Sequence, residues 1–347
     1  MKLTDAFVKT IKSLGIKHVF GLQGGAVVHF FDSLERNGVK VTYTHHEESA
    51  ALAATAYSKA TQNIGCAIVT TGPGSTNAIT GLMAAWQDSV PCIFISGQAR
   101  SNHTSYGKKV RQVGTQEVNI CDVVKPLTKY TKFVQDKNLF LPELKKAIKI
   151  CKSGRPGPVW LDIALDIQWS DIKFDQKLLN MSFEKLKIKK KNSSYNKIFK
   201  LIENSSRPLI ISGFGLKGKR KEVLFEKFIN KFNIPSVSTW NAADILGAEN
   251  KNYLGIIGMS GQRGANKAVF SADLLLCLGN HLSIPHTTTL YNDYAPNAKK
   301  IVIDIDKNEL KNLNVKFDLK INDDVENFLN WSLKKNSKHL KFKWLDK

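Results

Sequence analysis

At 347 residues, with 42% hydrophobic and 23% charged side chains, the chain reads as a soluble globular protein of two domains of about 150 residues each. It contains no run of about 18 apolar residues, which excludes a membrane-spanning helix. The formal charge of +21 comes mostly from lysine, densest over residues 185–200 and 334–347. Those stretches lack interleaved aromatics and read as a linker and an end, so no nucleic-acid partner is expected.

The opening M-K-L-T-D-A-F-V-K-T-I carries an acid and a polar break, and it reads as an amphipathic helix rather than an export signal. Leu3, Phe7, Val8, Ile11 and Leu14 stand at helical spacing. Gly15 ends that helix, and K-H-V-F-G-L is a short buried strand closing in Gly21. The loop Gln23-Gly24-Gly25-Ala26 follows, its glycines allowing close backbone approach. A second helix begins at Val27, and residues 39–44 form a second strand. A helix over about 47–60 carries Ala50, Ala51, Ala53, Ala54 and Ala56, small residues that suit close packing against a neighbour. Residues 65–70 are a third strand, Gly72-Pro73-Gly74-Ser75-Thr76-Asn77 a loop, 78–88 a helix and 91–97 a fourth strand.

Continuous apolar strands alternating with helices describe a parallel sheet covered on both faces. Ligands of such sheets sit beyond the strand C-termini. Gly21, Thr44, Gly72 and Gly97 fall at such ends, which puts the Gly-rich loops and Glu47 on one edge. Residues 100–116 read as a polar loop that covers the site, 123–134 as an apolar stretch with basic interruptions, and 142–151 as a helix. The turn Gly154-Arg155-Pro156-Gly157-Pro158 leads to the strand V-W-L-D-I-A-L-D-I. The first domain is expected to span 1–168, with a linker at 169–192.

A second α/β pattern occupies 193–330: a helix over 193–204, the strand L-I-I-S-G, the turn Phe214-Gly215-Leu216, a helix over 222–232 and a strand over 234–239. Strands A-D-L-L-L-C-L and K-I-V-I-D-I follow, and a basic tail covers 331–347. The five cysteines, Cys66, Cys92, Cys121, Cys151 and Cys277, are odd in number and form no CxxC. They imply a reducing, cytoplasmic compartment with neither disulfides nor a zinc site.

T-H-H-E-E-S-A-A-L-A-A-T-A-Y-S-K-A-T, V-T-T-G-P-G-S-T-N-A-I-T-G-L-M-A-A-W-Q-D-S-V-P, I-S-G-Q, T-Q-E-V-N-I-C-D-V-V-K-P-L-T-K-Y and G-R-P-G-P-V-W-L-D-I-A-L-D-I-Q together resemble the pyrimidine-binding domain of thiamine-diphosphate enzymes. The likeness is nearest to the acetolactate synthase large subunit and its relatives. R-P-L-I-I-S-G-F-G, A-D-L-L-L-C-L-G-N and V-I-D-I-D resemble that family's central domain. The resemblance implies two doubly wound, mainly parallel α/β domains: a thiamine-diphosphate-binding fold and then a Rossmann-like domain. It also implies a carboligase or decarboxylase acting on 2-oxo acids, working as a homodimer or tetramer with active sites between subunits.

In that family the Glu opening the Ala-rich helix hydrogen-bonds N1′ of the cofactor's aminopyrimidine. Here it is Glu47, within H-E-E where the family commonly has H-E-Q. Such a bond favours the imino tautomer, whose 4′-nitrogen can take the proton from thiazolium C2. A Glu at a helix N-terminus is also favoured by the helix dipole alone; the G-P-G-S-T-N loop that follows tips the reading toward chemistry. Gly72, Pro73 and Asn77 are expected as a wall against the pyrimidine. Gly24 and Gly25 are expected beside the thiazolium, and Gln116 near the reaction centre. His46 reads as a packing or orienting residue, Glu48 as exposed or paired, and Lys108, Lys109 and Arg111 as solvated loop side chains.

Two departures from the family bear on cofactors. Acetolactate synthases hold FAD with an Arg shortly after the Gly that ends A-D-L-L-L-C-L-G. Here the run is Gly279-Asn280-His281-Leu282-Ser283-Ile284-Pro285-His286, and G-M-S-G replaces G-M-H-G. Both changes argue against FAD, although Asp304 and Asp306 keep the acidic strand end. The family's Mg²⁺ and diphosphate are held by a third domain with a G-D-G motif, and no G-D-G occurs here. The chain is therefore expected to be the N-terminal two-thirds of a longer enzyme, or to pair with a separate subunit, and to be inactive alone. Two alternatives remain: a thiamine-diphosphate enzyme acting on another 2-oxo acid, and a noncatalytic assembly protein that kept the folds.

Overall fold

The computed structural model describes residues 1–174, 176, 192–289, 291–336 and 342. They fall in two compact units, Met1–Leu186 and Lys187–Lys347, each built on its own six-stranded, all-parallel sheet. Most of the lysine-rich linker and of the basic tail lies outside the described residues.

The first unit contains strands β1 (His18–Gly21), β2 (Lys40–Tyr43), β3 (Gly65–Val69), β4 (Cys92–Gln98), β5 (Tyr130–Val134) and β6 (Val159–Ala164), in the order β2-β1-β3-β4-β6-β5. The uninterrupted apolar runs occupy the middle: every residue of β3, β4 and β6 is buried. The mixed sequences K-V-T-Y and Y-T-K-F-V form the two edges, where one face meets solvent. Helices α1 (Leu3–Ser13), α2 (Val28–Arg36), α3 (Glu47–Thr61), α4 (Pro73–Asn77), α5 (Ile79–Gln87), α6 (Ile120–Val124), α7 (Lys137–Lys152) and α8 (Leu165–Gln168) complete the unit.

The alanines of α3 are explained by α5. A Cβ at Gly81 of α5 would stand 2.6 Å from the Ala51 carbonyl carbon, so the two helices touch through small side chains. Phe7, Phe30, Phe31 and Phe140 fill the core, which also takes in Ile172 and Phe174 at its margin. The Leu3 N–H donates to Ser170 O and the Ile172 N–H to Met1 O, both at 3.0 Å. The first unit therefore continues past Gln168 onto its own N-terminus.

Several elements differ from the sequence expectation. β5 was not separable by pattern, because Lys132 interrupts it on its exposed edge. β6 ends at Ala164, and L-D-I-Q turns into a short helix. α7 starts at Lys137, five residues before Pro142. Asp136 caps it by accepting from the Asn138 N–H at 2.9 Å, and this cap outweighs the preference of proline for a first helical position.

The second unit repeats the design with β7 (Pro208–Ser212), β8 (Ser236–Ser238), β9 (Tyr253–Ile256), β10 (Leu274–Leu278), β11 (Lys299–Asp304) and β12 (Leu319–Asn322), ordered β12-β11-β10-β7-β8-β9. Phe225, Phe228, Phe232 and Phe328 pack one face of this sheet; Leu209, Ile211, Leu275 and Val302 belong to the core of the other. The sequence reading lacked β9 and β12, which are half-buried edge strands without an apolar run.

Candidate cofactor site

In an all-parallel sheet the strand C-termini share one edge. In the first unit β1 is hydrogen-bonded to β2 on one side and to β3 on the other. The chain thus reverses its direction of winding at β1/β3, and the loops leaving these two strands diverge to open a crevice. The loop after β1 carries Gly24 and Gly25; the loop after β3 carries Thr70 to Gly74. α3, which follows β2, brings its first residue, Glu47, to the same edge.

Local chemistry fixes that helix start. His46 is the N-cap, its Nδ1 accepting from the Glu48 N–H at 3.2 Å, while Thr44 Oγ1 donates to His46 O at 2.8 Å. The orienting role expected for His46 is thus a helix cap. Glu48 is half-buried. Glu47 is only 7% exposed. Its Oε2 accepts from Asn77 Nδ2 at 3.0 Å, and a Cβ at Gly74 would stand 3.1 Å from its Oε1. A carboxyl in the first turn of a helix is stabilised by the N-terminal partial charge. The Asn77 bond ties one of its oxygens to the Gly-Pro-Gly loop and leaves the other on the glycine side.

The glycines around it serve two different ends. A Cβ on Gly24 would stand 2.6 Å from Thr70 Cβ, and one on Gly74 would stand 2.6 Å from Thr70 Cγ2. Thr70 therefore wedges between the two loops. Gly72 adopts φ 60 and ψ −119, and any Cβ there would drive into the carbonyl oxygen of Gln116. Gly25 has no atom within 4 Å of its Cβ position, so open space adjoins it. Pro73 is an exposed first-turn residue of α4.

Of the seven predicted site residues, Glu47 and Asn77 meet directly, Gly24 joins them through Thr70, and Gly72 packs on Gln116. Gln116 enters through its backbone, with φ 57 and its carbonyl accepting from Thr71 Oγ1 at 3.4 Å; its side chain is exposed.

The loop over 100–116 is pinned by Glu117. That carboxylate accepts from the Ser105 N–H and Oγ, from the Val113 N–H at 2.9 Å and from the Gly114 N–H at 3.1 Å. Partial burial pushes its pKa up, and these bonds outweigh burial to hold it below the ordinary value. Lys108, Lys109 and Arg111 stand exposed on the loop.

Sequence reasoning missed four residues: Thr70, Thr71, Gln98 and Asp162. Asp162 gave the clearest signal, an acid inside an otherwise apolar strand, because a carboxylate is costly to bury unless hydrogen bonds answer it. All five cysteines are free and buried, and burial pushes the Cys92 and Cys121 thiols up to about 12. Among the described residues, no group of three or more His, Cys, Asp or Glu is placed to hold a metal ion, and no helix is long and apolar enough to cross a membrane.

Residues 1–123 match the family described as "Thiamine pyrophosphate enzyme, N-terminal TPP binding domain", and residues 195–331 match "Thiamine pyrophosphate enzyme, central domain". The chain is 32% identical over 311 residues to the acetolactate synthase large subunit of Haemophilus influenzae, covering 87% of this chain and 52% of that protein. It is 32% identical over 336 residues to the probable acetolactate synthase large subunit of Methanocaldococcus jannaschii (95% and 55%). It is 30% identical over 321 residues to the acetolactate synthase large subunit of Lactococcus lactis (92% and 54%). The chain thus spans about half the length of these curated relatives.

Proposed function

This chain belongs to the thiamine pyrophosphate enzyme family, and from that premise we propose that it is part of a thiamine-diphosphate-dependent carboligase or decarboxylase acting on 2-oxo acids, of the acetolactate synthase type. In this reading residues 1–168 are the pyrimidine-binding domain, residues 193–330 the central domain, and the enzyme a cytoplasmic homodimer or tetramer. One observation carries it: a buried Glu47, held by Asn77 at the winding reversal between β1 and β3, with open space beside Gly25.

The residues fit an aminopyrimidine. Glu47 Oε2 already accepts from Asn77, which fixes the carboxyl and leaves Oε1 to share a proton with the ring's N1′. Glycine at position 74 matters because a Cβ would crowd that oxygen at 3.1 Å. Gly24 and Gly25 let the ligand approach backbone, and Thr70 holds their loop against the Gly-Pro-Gly turn. When bound, thiamine diphosphate supplies the carbanion stabilisation that lets a 2-oxo acid lose CO₂; this chain's residues orient the ring and hold the proton at Glu47.

Mg²⁺ and the cofactor's diphosphate are assigned to a further domain, in keeping with relatives of which the matched region covers 52% and 55%. No flavin is assigned, because the run Gly279 to His286 carries no Arg. That same missing Arg favours a second reading, a relative acting on a different 2-oxo acid. Product analysis with pyruvate as sole substrate separates the two, since only the first yields acetolactate.

The test of the main reading is Glu47→Gln in the assembled enzyme. The variant keeps the shape and loses the acid, and cofactor C2 proton exchange is expected to slow by about 10²- to 10⁴-fold. Exchange at the unmodified rate would discard the role given to Glu47.

A further inference from the structure

Asp162 sits on β6, one strand in from the edge of the first unit's sheet, fully buried and level with Ser96 of β4 and Phe133 of β5. Its Oδ1 accepts from Ser96 Oγ at 2.6 Å, and that hydroxyl oxygen accepts from the Trp160 indole N–H at 2.8 Å. Its Oδ2 accepts from Gln98 Nε2 at 2.9 Å. A lone carboxylate in such a place is a liability, since a well-packed apolar side chain would serve stability at least as well. Besides the Ser96 hydroxyl, what this one holds is an amide.

Gln98, the last residue of β4, is also fully buried, and its amide uses both donors and both acceptor positions. Nε2 donates to Asp162 and, at 2.7 Å, to Val118 O. Oε1 accepts from Thr71 Oγ1 and from the Ala99 N–H, each at 3.0 Å. Thr71 immediately precedes Gly72, and its single hydroxyl hydrogen is shared between the nearer Gln98 Oε1 and Gln116 O at 3.4 Å. Val118 lies two residues beyond Gln116. One amide therefore joins the Gly-Pro-Gly turn to the end of the covering loop. An amide can satisfy all four bonds in only one orientation, and the acceptor-only carboxylate of Asp162 selects it.

We propose that Gln98 and Asp162 are positioning residues for the cofactor site: the carboxylate orients the amide, and the amide fixes the Gly72 turn and the Gln116 carbonyl. The relevance to catalysis rests on the function proposed above; the ordering of the two segments does not. Burial pushes the Asp162 carboxyl up to about 7 against the pull of the Ser96 and Gln98 bonds. The titratable groups facing it are Tyr106 and Cys121, both raised first by burial and further by its charge. Above neutrality the Gln98 bond is charge-assisted and strongest.

Amide hydrogen exchange on the chain tests this without ligand. In Gln98→Leu and in Asp162→Asn, exchange over 71–76 and 114–118 is expected to rise on the order of tenfold or more, while α1 and β10 stay unchanged. The double variant Gln98→Leu/Asp162→Asn is expected to raise exchange no further than Gln98→Leu does, because Asp162 acts on these segments through the amide. Protection of the same segments should weaken in the wild type, after correction for intrinsic rates, as pH falls from 8 to 6, and should stay flat in Asp162→Asn. Uniform acceleration across the first unit, unchanged segments, or effects of the two single variants that add in the double variant would each overturn the proposal.

A second arm titrates the chain with 4-amino-5-hydroxymethyl-2-methylpyrimidine by NMR. Weaker binding by Gln98→Leu supports the positioning role, and unchanged binding overturns it while leaving the function standing. A wild-type chain that binds no pyrimidine overturns the proposed function, and the exchange pattern then decides the strut by itself.

Discussion

Two glycine-to-alanine substitutions separate the structural part of the site from its ligand-facing part. Gly72 has φ 60 and ψ −119, a region that costs an L-residue about 1–3 kcal/mol. Its Cβ would also press on the carbonyl of Gln116, with the carbonyl carbon and the Gln116 Cβ both 3.1 Å away. Overpacking of this kind adds about 1–3 kcal/mol. Gly72→Ala is therefore expected to destabilise the first unit by about 2–6 kcal/mol, a large part of the about 5–15 kcal/mol that holds a typical domain. At Gly25 no atom lies within 4 Å of the Cβ position, so Gly25→Ala is expected to stay within about 0.5 kcal/mol of the parent. The same variant should weaken thiamine diphosphate binding by the assembled enzyme, because the methyl enters the space assigned to the thiazolium. Urea unfolding read by hydrogen-exchange mass spectrometry resolves the two units and gives each its own midpoint. A Gly72→Ala chain as stable as the parent, or a Gly25→Ala chain equally damaged, would refute the geometric account of this edge.

Two further outcomes concern pH. The Asp162 carboxyl rises from 3.8 to about 7 on folding, so between those values the native state keeps a proton that the unfolded chain has released. Stability is greatest below about pH 4 on this account and falls as pH rises through 7, by at most about 1.4 kcal/mol per pH unit. Asp162→Asn should remove that slope, and urea midpoints of β6 amides at pH 5, 6, 7 and 8 check it; parallel slopes in both proteins would contradict it. Glu117 has the opposite sign. Its pKa is held below 4.5 by bonds from Ser105, Val113 and Gly114 that outweigh burial, so its clasp is intact above the unfolded value and released as pH falls through the folded one. Exchange over 105–114 should accelerate on acidification, and Glu117→Gln should show that faster exchange already at pH 7; equal protection in parent and variant would assign the loop's order to other contacts.

The middle of each sheet was legible because central parallel strands must be apolar on both faces. C-A-I-V, C-I-F-I and L-L-L-C-L announce themselves, whereas β9 and β12 carry no such run at their half-buried edges. α7 was read as starting at Pro142, a residue that favours first turns; the deciding group was the Asp136 side chain six residues earlier. At the site, Gly24, Gly72 and Gly74 sit where a Cβ would collide, a constraint that the residue type itself displays in the sequence. Gln116 was singled out by its place in the family pattern; the contact the structure adds is through its carbonyl, which any residue type supplies and no sequence can mark. Gln98 and Asp162 were quoted in motifs without a role, because their partnership spans 64 positions and exists only once β4 and β6 lie side by side.

The two units pose the same geometric question and answer it differently, which shows where the fold stops and chemistry begins. In each, the winding reverses between two adjacent central strands, β1/β3 in the first and β7/β10 in the second, and glycine marks both places. In the second unit Gly213 and Gly215 lie directly against Gly279, with the Gly215 N–H donating to Gly279 O at 3.0 Å. There the glycines serve contact of backbone with backbone. In the first unit Gly24 and Gly74 instead face the Thr70 side chain, and Gly74 borders the Glu47 carboxyl. The topology supplies a crevice in both cases, and in the first the glycine at 74 borders a buried acid, Glu47, fixed by the Asn77 amide. A shared architecture therefore cannot assign the function. The proposed function rests instead on Glu47, Asn77 and the missing side chain at Gly74, because the amide holds one carboxyl oxygen and the bare glycine leaves room beside the other.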